Sequence, residues 1–428
     1  MTADATPDFD EQDFFVGNAF VADPYPYFEH LRARCPVQRE PHHGVVMVTG
    51  YEEAVAVLHD TATFSSCNSV TGPFPGFPVP LEGDVSALVD AHRDALPMSD
   101  QLPTFDPPKH TDHRALLMRL ITPKRLNENE QFMWRLADRQ LDEIVDAGHC
   151  EFISEFATPF AMLVVADLLG VPETDHDEFR ANLATKGPKH NVGSTAKALQ
   201  HSPLEYLYDQ FTRYVSERRA HPTDDVLTGL ATATFPDGSL PEVIDVVRIA
   251  ANLFAAGQET TVRLLAGALQ MLGEHPDLQA SLRADRAGIS NFVEEMLRFD
   301  GPIKGDFRLA RVPTTVGGVD IPAGTTVMII AGAANRDPRR FEAAAEFRPD
   351  RANARQHLAF GHGIHTCAGA PLARAETHAT LVRFLERMAD IRVSEAHHGP
   401  PEARRYEYDP TYMLRGLKEL HLEFTRLD

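Results

Sequence analysis

The stretch Phe360–Glu376 reads F-G-H-G-I-H-T-C-A-G-A-P-L-A-R-A-E and holds one cysteine, Cys367, in a glycine-rich run just ahead of a helical pattern. Gly361, Gly363 and Gly369 let a flat ligand approach the backbone. The free N–H groups at the start of the following helix favour a thiolate over a thiol. A thiolate in such a loop is a metal ligand or a nucleophile. A second unusual stretch is Ala255-Ala-Gly-Gln-Glu-Thr-Thr261, inside a long apolar run. Gly257 in mid-helix costs about 1 kcal/mol relative to alanine, and Glu259 and Thr260 add polar groups that need partners when buried. Together they predict a functional kink, with Thr260 offering a hydroxyl and Glu259 a proton. The plain alternative is a buried Glu259 neutralised by an arginine.

Other candidates are weaker one by one. Glu295 and Arg298 stand at i, i+3 on one helix face, with Phe292, Val293, Met296 and Leu297 around them. His110 and Arg114 stand at i, i+4. Arg308 opens a β-like region and His365 precedes Cys367 by two. Jointly these four could give charge-assisted hydrogen bonds to a dianionic cofactor. His362, His365 and Cys367 also form H-x-x-H-x-C, but no second Cys/His cluster completes a four-ligand zinc site.

The elements that must position these residues follow from pattern. A helix is expected from Asp23 to about Ala33, a strand over 44–49 and a helix over Tyr51–His59. The proline-rich 71–80 segment excludes regular structure, and its Phe74, Phe77, Val79 and Leu81 suit an apolar pocket wall. Asp106-Pro-Pro predicts an N-cap for a helix running to Thr122. Helical patterning then dominates from Asn127 to about Leu230. It is broken at Lys186–Ser194, a candidate lid. Ser239-Leu-Pro-Glu242 predicts a capping box for a helix reaching His275-Pro276. Ser290–Phe299 reads as a shorter helix, Val316-Gly-Gly-Val319 as a hairpin turn and 325–330 as a strand. The fold class is mainly α with a smaller β-rich region. Residues 1–20 are expected to be a flexible acidic lead-in and 21–428 a single domain.

The chain has 428 residues and a formal charge of −21, which argues against nucleic-acid binding. Four scattered cysteines argue against a disulfide framework. No signal peptide or membrane span is visible, so a monomeric cytoplasmic protein is expected.

Taken together, the cysteine loop, the E-x-x-R helix and the A-G-x-E-T-T stretch resemble the cytochrome P-450 family of haem-thiolate monooxygenases. The likeness spans about Asp23 to Phe424. F-G-x-G-x-H-x-C-x-G matches at Phe360, Gly361, Gly363, His365, Cys367 and Gly369. The resemblance implies a fold with a long central helix crossing haem b and Cys367 as axial ligand to its iron. It places Phe360 against the haem and His110, Arg114, Arg308 and His365 on its propionates. Glu295, Arg298 and Arg351 become a structural cluster, Ala256 and Gly257 an oxygen-binding groove, and Glu259 and Thr260 the acid–alcohol pair that delivers protons. It further implies a small apolar substrate (terpenoid, fatty-acid-like or steroid-like) and electrons from a ferredoxin and its reductase. The ferredoxin would dock on a basic patch of Arg119, Lys124, Arg125, Arg355 and Arg374. A peroxide-using hydroxylase of the same superfamily and a haem-binding sensor without turnover are the alternatives. Lys304 could meet a substrate carboxylate, but a side chain reaching out to solvent is the stronger expectation.

Overall fold

The computed structural model describes residues 9–74, 76–183 and 202–427. The region from 184 to 201, with the candidate lid Lys186–Ser194, lies outside the described residues. Helix α1 (Tyr25–Arg34) leads into strands β1 (Val37–Arg39) and β2 (Val46–Val48), helix α2 (Tyr51–His59) and strand β3 (Phe64–Ser65). Three short strands need more partners to form a stable sheet. These come from β5 (Asp306–Ala310) and β8 (Thr326–Ile329), giving the order β1-β2-β8-β5-β3. Only β2 and β8 pair in parallel in this sheet. Between β5 and β8, β6 (Thr314–Val316) and β7 (Val319–Ile321) form the expected hairpin. Gly317 and Gly318 take φ of 55° and 80° in its turn, as a two-residue hairpin loop requires.

The helical part runs through α3 (Ser86–His92), α4 (Lys109–Met118), α5 (Pro123–Ile144), α6 (Thr158–Leu169), α7 (His176–Leu183), α8 (Ser202–Ala220) and α9 (Val226–Ala231). It continues with α10 (Val243–Glu274), α11 (Pro276–Ala284), α12 (Gly288–Asp300), the single turn α13 (Ala331–Ala334) and α14 (Ala370–Arg387). A second sheet of β4 (His149–Glu151), β10 (His421–Arg426) and β9 (Met388–Val393), in that order, closes the far end. α10 packs against α6, α8, α12 and α14. Its Val246, Val247, Ile249, Ala250, Leu253 and Phe254 are buried in the main core. At 1.5 Å per residue its 32 residues span nearly 50 Å.

Several expectations are corrected. The lead-in is not free over its whole length: Phe14, Phe15 and Phe20 are buried with Tyr27, Phe28, Phe307 and Tyr412. Asp106 does not cap a helix. α4 starts at Lys109, and the Asp106 carboxylate instead accepts from Ser65 Oγ at 2.5 Å, Ser66 N at 2.8 Å and Arg311 at 2.6 Å. The helix ends at Met118, and Thr122 caps the next one by accepting from Arg125 N at 3.2 Å. The Ser239 box does not form, because Ser239 bonds to Asp237 and α10 starts at Val243. Helix α10 runs through Gly257 without interruption. A Cβ there would lie 3.0 Å from Val165 Cγ2, so the glycine gives room for the close approach of α6.

Candidate active site: a cavity between the cysteine loop and the long helix

A large apolar cavity of about 1730 Å³ of empty space, its open mouth included, lies between α10 and the loop before α14. Ala256, Gly257 and Thr260 line one wall, and Phe360, His365, Cys367 and Gly369 the opposite one. His110, Arg114 and Arg308 also line it. The structure thus brings together residues that are 110 to 369 in sequence. Glu259, alone of the acid–alcohol pair, is not on the wall.

The cysteine loop is held by local backbone geometry. Cys367 N donates to Phe360 O at 2.8 Å, which closes the loop on itself. Gly363 takes φ 72°, and a Cβ there would lie 2.8 Å from Leu58 O at the end of α2. Cys367 is exposed because it faces the cavity. Burial nevertheless pushes its thiol above the ordinary range, outweighing the Gly369 and Ala370 N–H groups and the nearby Arg114 and Arg374 that draw it down. The helix start therefore favours a thiolate, as expected, but does not secure one alone. A cation on the cavity side would tip that balance.

At one rim His110 and His365 have ring centroids 4.1 Å apart. His365 Nε2 is 3.0 Å from Ser66 Oγ. Arg308 reaches Asp306 at 2.7 Å, and Arg114 donates to Thr366 O at 2.6 Å. Burial and then Arg114 pull His110 down to about 4. Burial, Arg308, His110 and Arg114 pull His365 down to about 2. Both imidazoles are thus held neutral first by burial and then by neighbouring positive charge, the second of which a dianion would offset. A sulfur on the wall, bare backbone at Gly361 and Gly369 and an anion-hungry rim fit haem, whereas Gly363, expected to face the ligand, packs on Leu58 instead. They do not fit zinc: His362 turns to His59, their ring nitrogens 2.6 Å apart, while His365 turns to His110. Among the described residues no three His, Cys, Asp or Glu could hold a metal together.

Glu295 is fully buried and is gripped by Arg298 at 2.7 and 2.8 Å and by Arg351 Nε at 3.0 and 3.1 Å. The expected cluster is therefore assembled, buried throughout, with Arg298 also donating to the carbonyls of Asn335, Ala344 and Glu346, each at 2.8 Å. On α10, Thr260 Oγ1 donates to Ala256 O at 2.8 Å. Glu259 is paired with Arg263 Nη2 at 2.5 Å, so the arginine of the plain reading is present, but Glu259 is exposed rather than buried. Arg263 in turn meets Asp409 at 3.0 Å. Arg263 was legible as the i+4 residue; Asp409, 146 residues on, carried no local signal.

Three further expectations fail. Phe74 packs on His43 and Phe15, and Phe77 and Leu81 join a small cluster around Val85 and Val89. The cavity takes Ser69, Val70, Leu102 and Pro103 from this region instead. Lys304 neither reaches solvent nor lines the cavity: it is 3% exposed and its Nζ donates to Thr411 O. The basic patch is only partly open. Lys124 and Arg355 are 88% and 77% exposed, but Arg125 is tied to Asp167 and Leu168 O. Arg374 is paired with Glu294 and stacked on Phe360. Arg119, also exposed, donates to Thr234 O.

The fold and this cavity define a haem-thiolate oxygenase scaffold, and sequence comparison agrees. The chain belongs to the cytochrome P450 family, whose profile (Cytochrome P450) matches residues 230–389. It is similar to the cytochrome P450 monooxygenase PikC of Streptomyces venezuelae, 33% identical over 96% of this chain and 93% of that protein. A solved structure, the substrate-free form of Mycobacterium marinum cytochrome P450 CYP150A6, is 56% identical with a TM-score of 0.93, covering 98% of this chain and 100% of that one. Bacillus megaterium CYP109E1 in complex with testosterone is 27% identical with a TM-score of 0.78, covering 94% and 99%. The chain is a cytochrome P450 monooxygenase. Among the described residues no helix is long and apolar enough to cross a membrane.

Proposed function

We propose that this enzyme binds haem b and inserts one oxygen atom of O2 into a C–H bond of a small apolar substrate, with electrons from a ferredoxin and its reductase in the cytoplasm. The observation that carries the reading is the single cavity with Cys367 on one wall and Ala256 and Thr260 on the other. Cys367 would ligate the iron, and His110, Arg114, Arg308 and His365 would hold the propionates. Phe360, stacked under Arg374, would pack beside the sulfur. Haem, when bound, supplies the oxygen activation and C–H oxidation. Thr260 would hold and pass a proton at Oγ1, and Glu259 would supply it. Glu295, Arg298 and Arg351 would keep the loop before Cys367 in register.

Val70, Leu102, Leu253, Ile303, Met413 and Leu414 give the cavity an aliphatic lining that suits a terpenoid, fatty-acid-like or steroid-like substrate. Lys124 and Arg355, exposed though within 3.8 Å of Glu128 and 3.6 Å of Glu294, would be the charges a ferredoxin meets. Cys367→Ala is expected to abolish the long-wavelength Soret band of the reduced CO complex; a variant that keeps it would remove the ligand assignment.

A further inference from the structure

Glu259 is engaged in a way that proton delivery has to undo. Its carboxyl is paired with Arg263 at 2.5 Å, while the Thr260 hydroxyl is bonded to Ala256 O. Arg263 is almost wholly buried, its side chain 5% exposed, as is Asp409 at 7%, whereas Glu259 is 46% exposed. Both carboxylates lean on the same nitrogen, Arg263 Nη2, at 2.5 and 3.0 Å. Arg263 Nε and Nη1 are buried without a partner among the described residues. Neither carboxylate therefore has the two-pronged grip that makes an arginine pair strong. The loop from Asp409 to Gly416 is folded around the guanidinium. Asp409 N donates to Gly416 O at 3.0 Å. A Cβ on Gly416 would run into Arg263 Cγ and lie 2.6 Å from its Nη1.

If Arg263 had Glu259 alone, detaching the acid would strand a buried cation, a change that typically costs several kcal/mol. Asp409 removes that penalty, because the Arg263–Asp409 pair survives when Glu259 leaves. We propose that Asp409 is a positioning residue, a resident counter-ion that lets Glu259 detach from Arg263 and swing to Thr260, so that Arg263–Asp409 gates proton delivery. A proton from bulk water adds to a Glu259 carboxylate oxygen, passes to the Thr260 hydroxyl as that hydroxyl gives up its own proton into the cavity, and leaves Glu259 as a carboxylate to rejoin Arg263. The inference rests on the acid–alcohol reading above.

The test uses the haem-loaded protein and four variants: Glu259→Gln, Asp409→Asn, Asp409→Asn/Glu259→Gln and Arg263→Gln/Asp409→Asn. Turnover and its solvent deuterium isotope effect are measured, and denaturant unfolding is followed in parallel. Asp409→Asn leaves Glu259 as the sole counter-ion, so turnover should fall roughly tenfold with a larger isotope effect. Arg263→Gln/Asp409→Asn removes the gate and should bring both back toward the wild type. In unfolding, Glu259→Gln should lower the midpoint more in the Asp409→Asn background than alone. Wild-type rate and isotope effect in Asp409→Asn, additive unfolding losses, or a double variant as slow as Asp409→Asn would each overturn the proposal. Should Asp409→Asn fail to fold, Arg263→Gln/Asp409→Asn decides alone: a wild-type isotope effect supports the gate and one as large as in Glu259→Gln rejects it. If Glu259→Gln itself leaves rate and isotope effect unchanged, the acid–alcohol reading fails and the gate with it.

Discussion

Glu295 and Glu259 each face an arginine on their own helix, three and four residues on, and the two pairs are built in opposite ways. On α12, one carboxylate is shared by two arginines, nothing is exposed, and all three nitrogens of Arg298 have acceptors. On α10, one arginine is shared by two carboxylates, one of them half in the open, and two of its nitrogens have none. A charge network closed on every side can only hold or break, because any loss leaves a bare buried charge. A network with a spare anion can lose one member and stay neutral. The first suits a clamp near the cysteine loop, the second a part that moves.

The contrast can be broken by mutation. Arg298→Met leaves Glu295 with Arg351 as its one ionic partner and should cost about 3–5 kcal/mol, read in denaturant unfolding and in a low haem content of the purified protein. Lys304 is a third buried charge, held only by a carbonyl. Burial pulls its ammonium down to about 7 from 10.5, with Arg415 and Arg263 adding to the fall and Asp300 opposing it. Between those values the unfolded chain binds more protons, so this residue makes stability rise with pH, by up to about 4 kcal/mol from pH 7 to 10.5. Lys304→Met should flatten that rise in pH-dependent unfolding, and an unchanged slope would show the amine is not strained. Glu259→Gln, in contrast to Arg298→Met, should cost under about 1 kcal/mol of stability, because Asp409 remains; a loss as large as at Arg298 would erase the distinction. Smallest of all, Lys124→Glu with Arg355→Glu should slow ferredoxin-supported turnover a few-fold at low salt only, with no change in unfolding.

Much of this was legible in the sequence where the information is local. Tyr51–His59 is a helix end to end because its apolar spacing and flanking Gly50 are contained within it. The two glycines of Val316–Val319 specify their own turn, and the spacing from Phe360 to Gly369 is one continuous loop. The clamp was legible in part: Glu295 and Arg298 adjoin, but their depth depends on carbonyls from Asn335 to Glu346. What failed depends on distant partners. Asp106 looks like an N-cap until Ser65, Ser66 and Arg311 are found around it. Lys304 looks surface-bound until Thr411 and the Phe14 ring, 6.0 Å away, close over it. Phe74 and Phe77 are apolar enough for a pocket, yet the N-terminal aromatic cluster and the α3 segment claim them first. Arg125 looks like a docking charge, and α6 takes it.

Tyr412 packs against Phe15 and Phe307 and donates to Thr71 O at 2.9 Å, and its neighbours Met413 and Leu414 line the cavity. The same short loop carries Asp409. During synthesis the ribosome releases Phe15 and all of α10 long before this loop emerges. Until then Arg263 has only Glu259, and the aromatic cluster lacks its lid. A chain that folds from its leading end thus completes its reaction chamber late, and until this loop is made the cavity lacks Met413 and Leu414 from its lining.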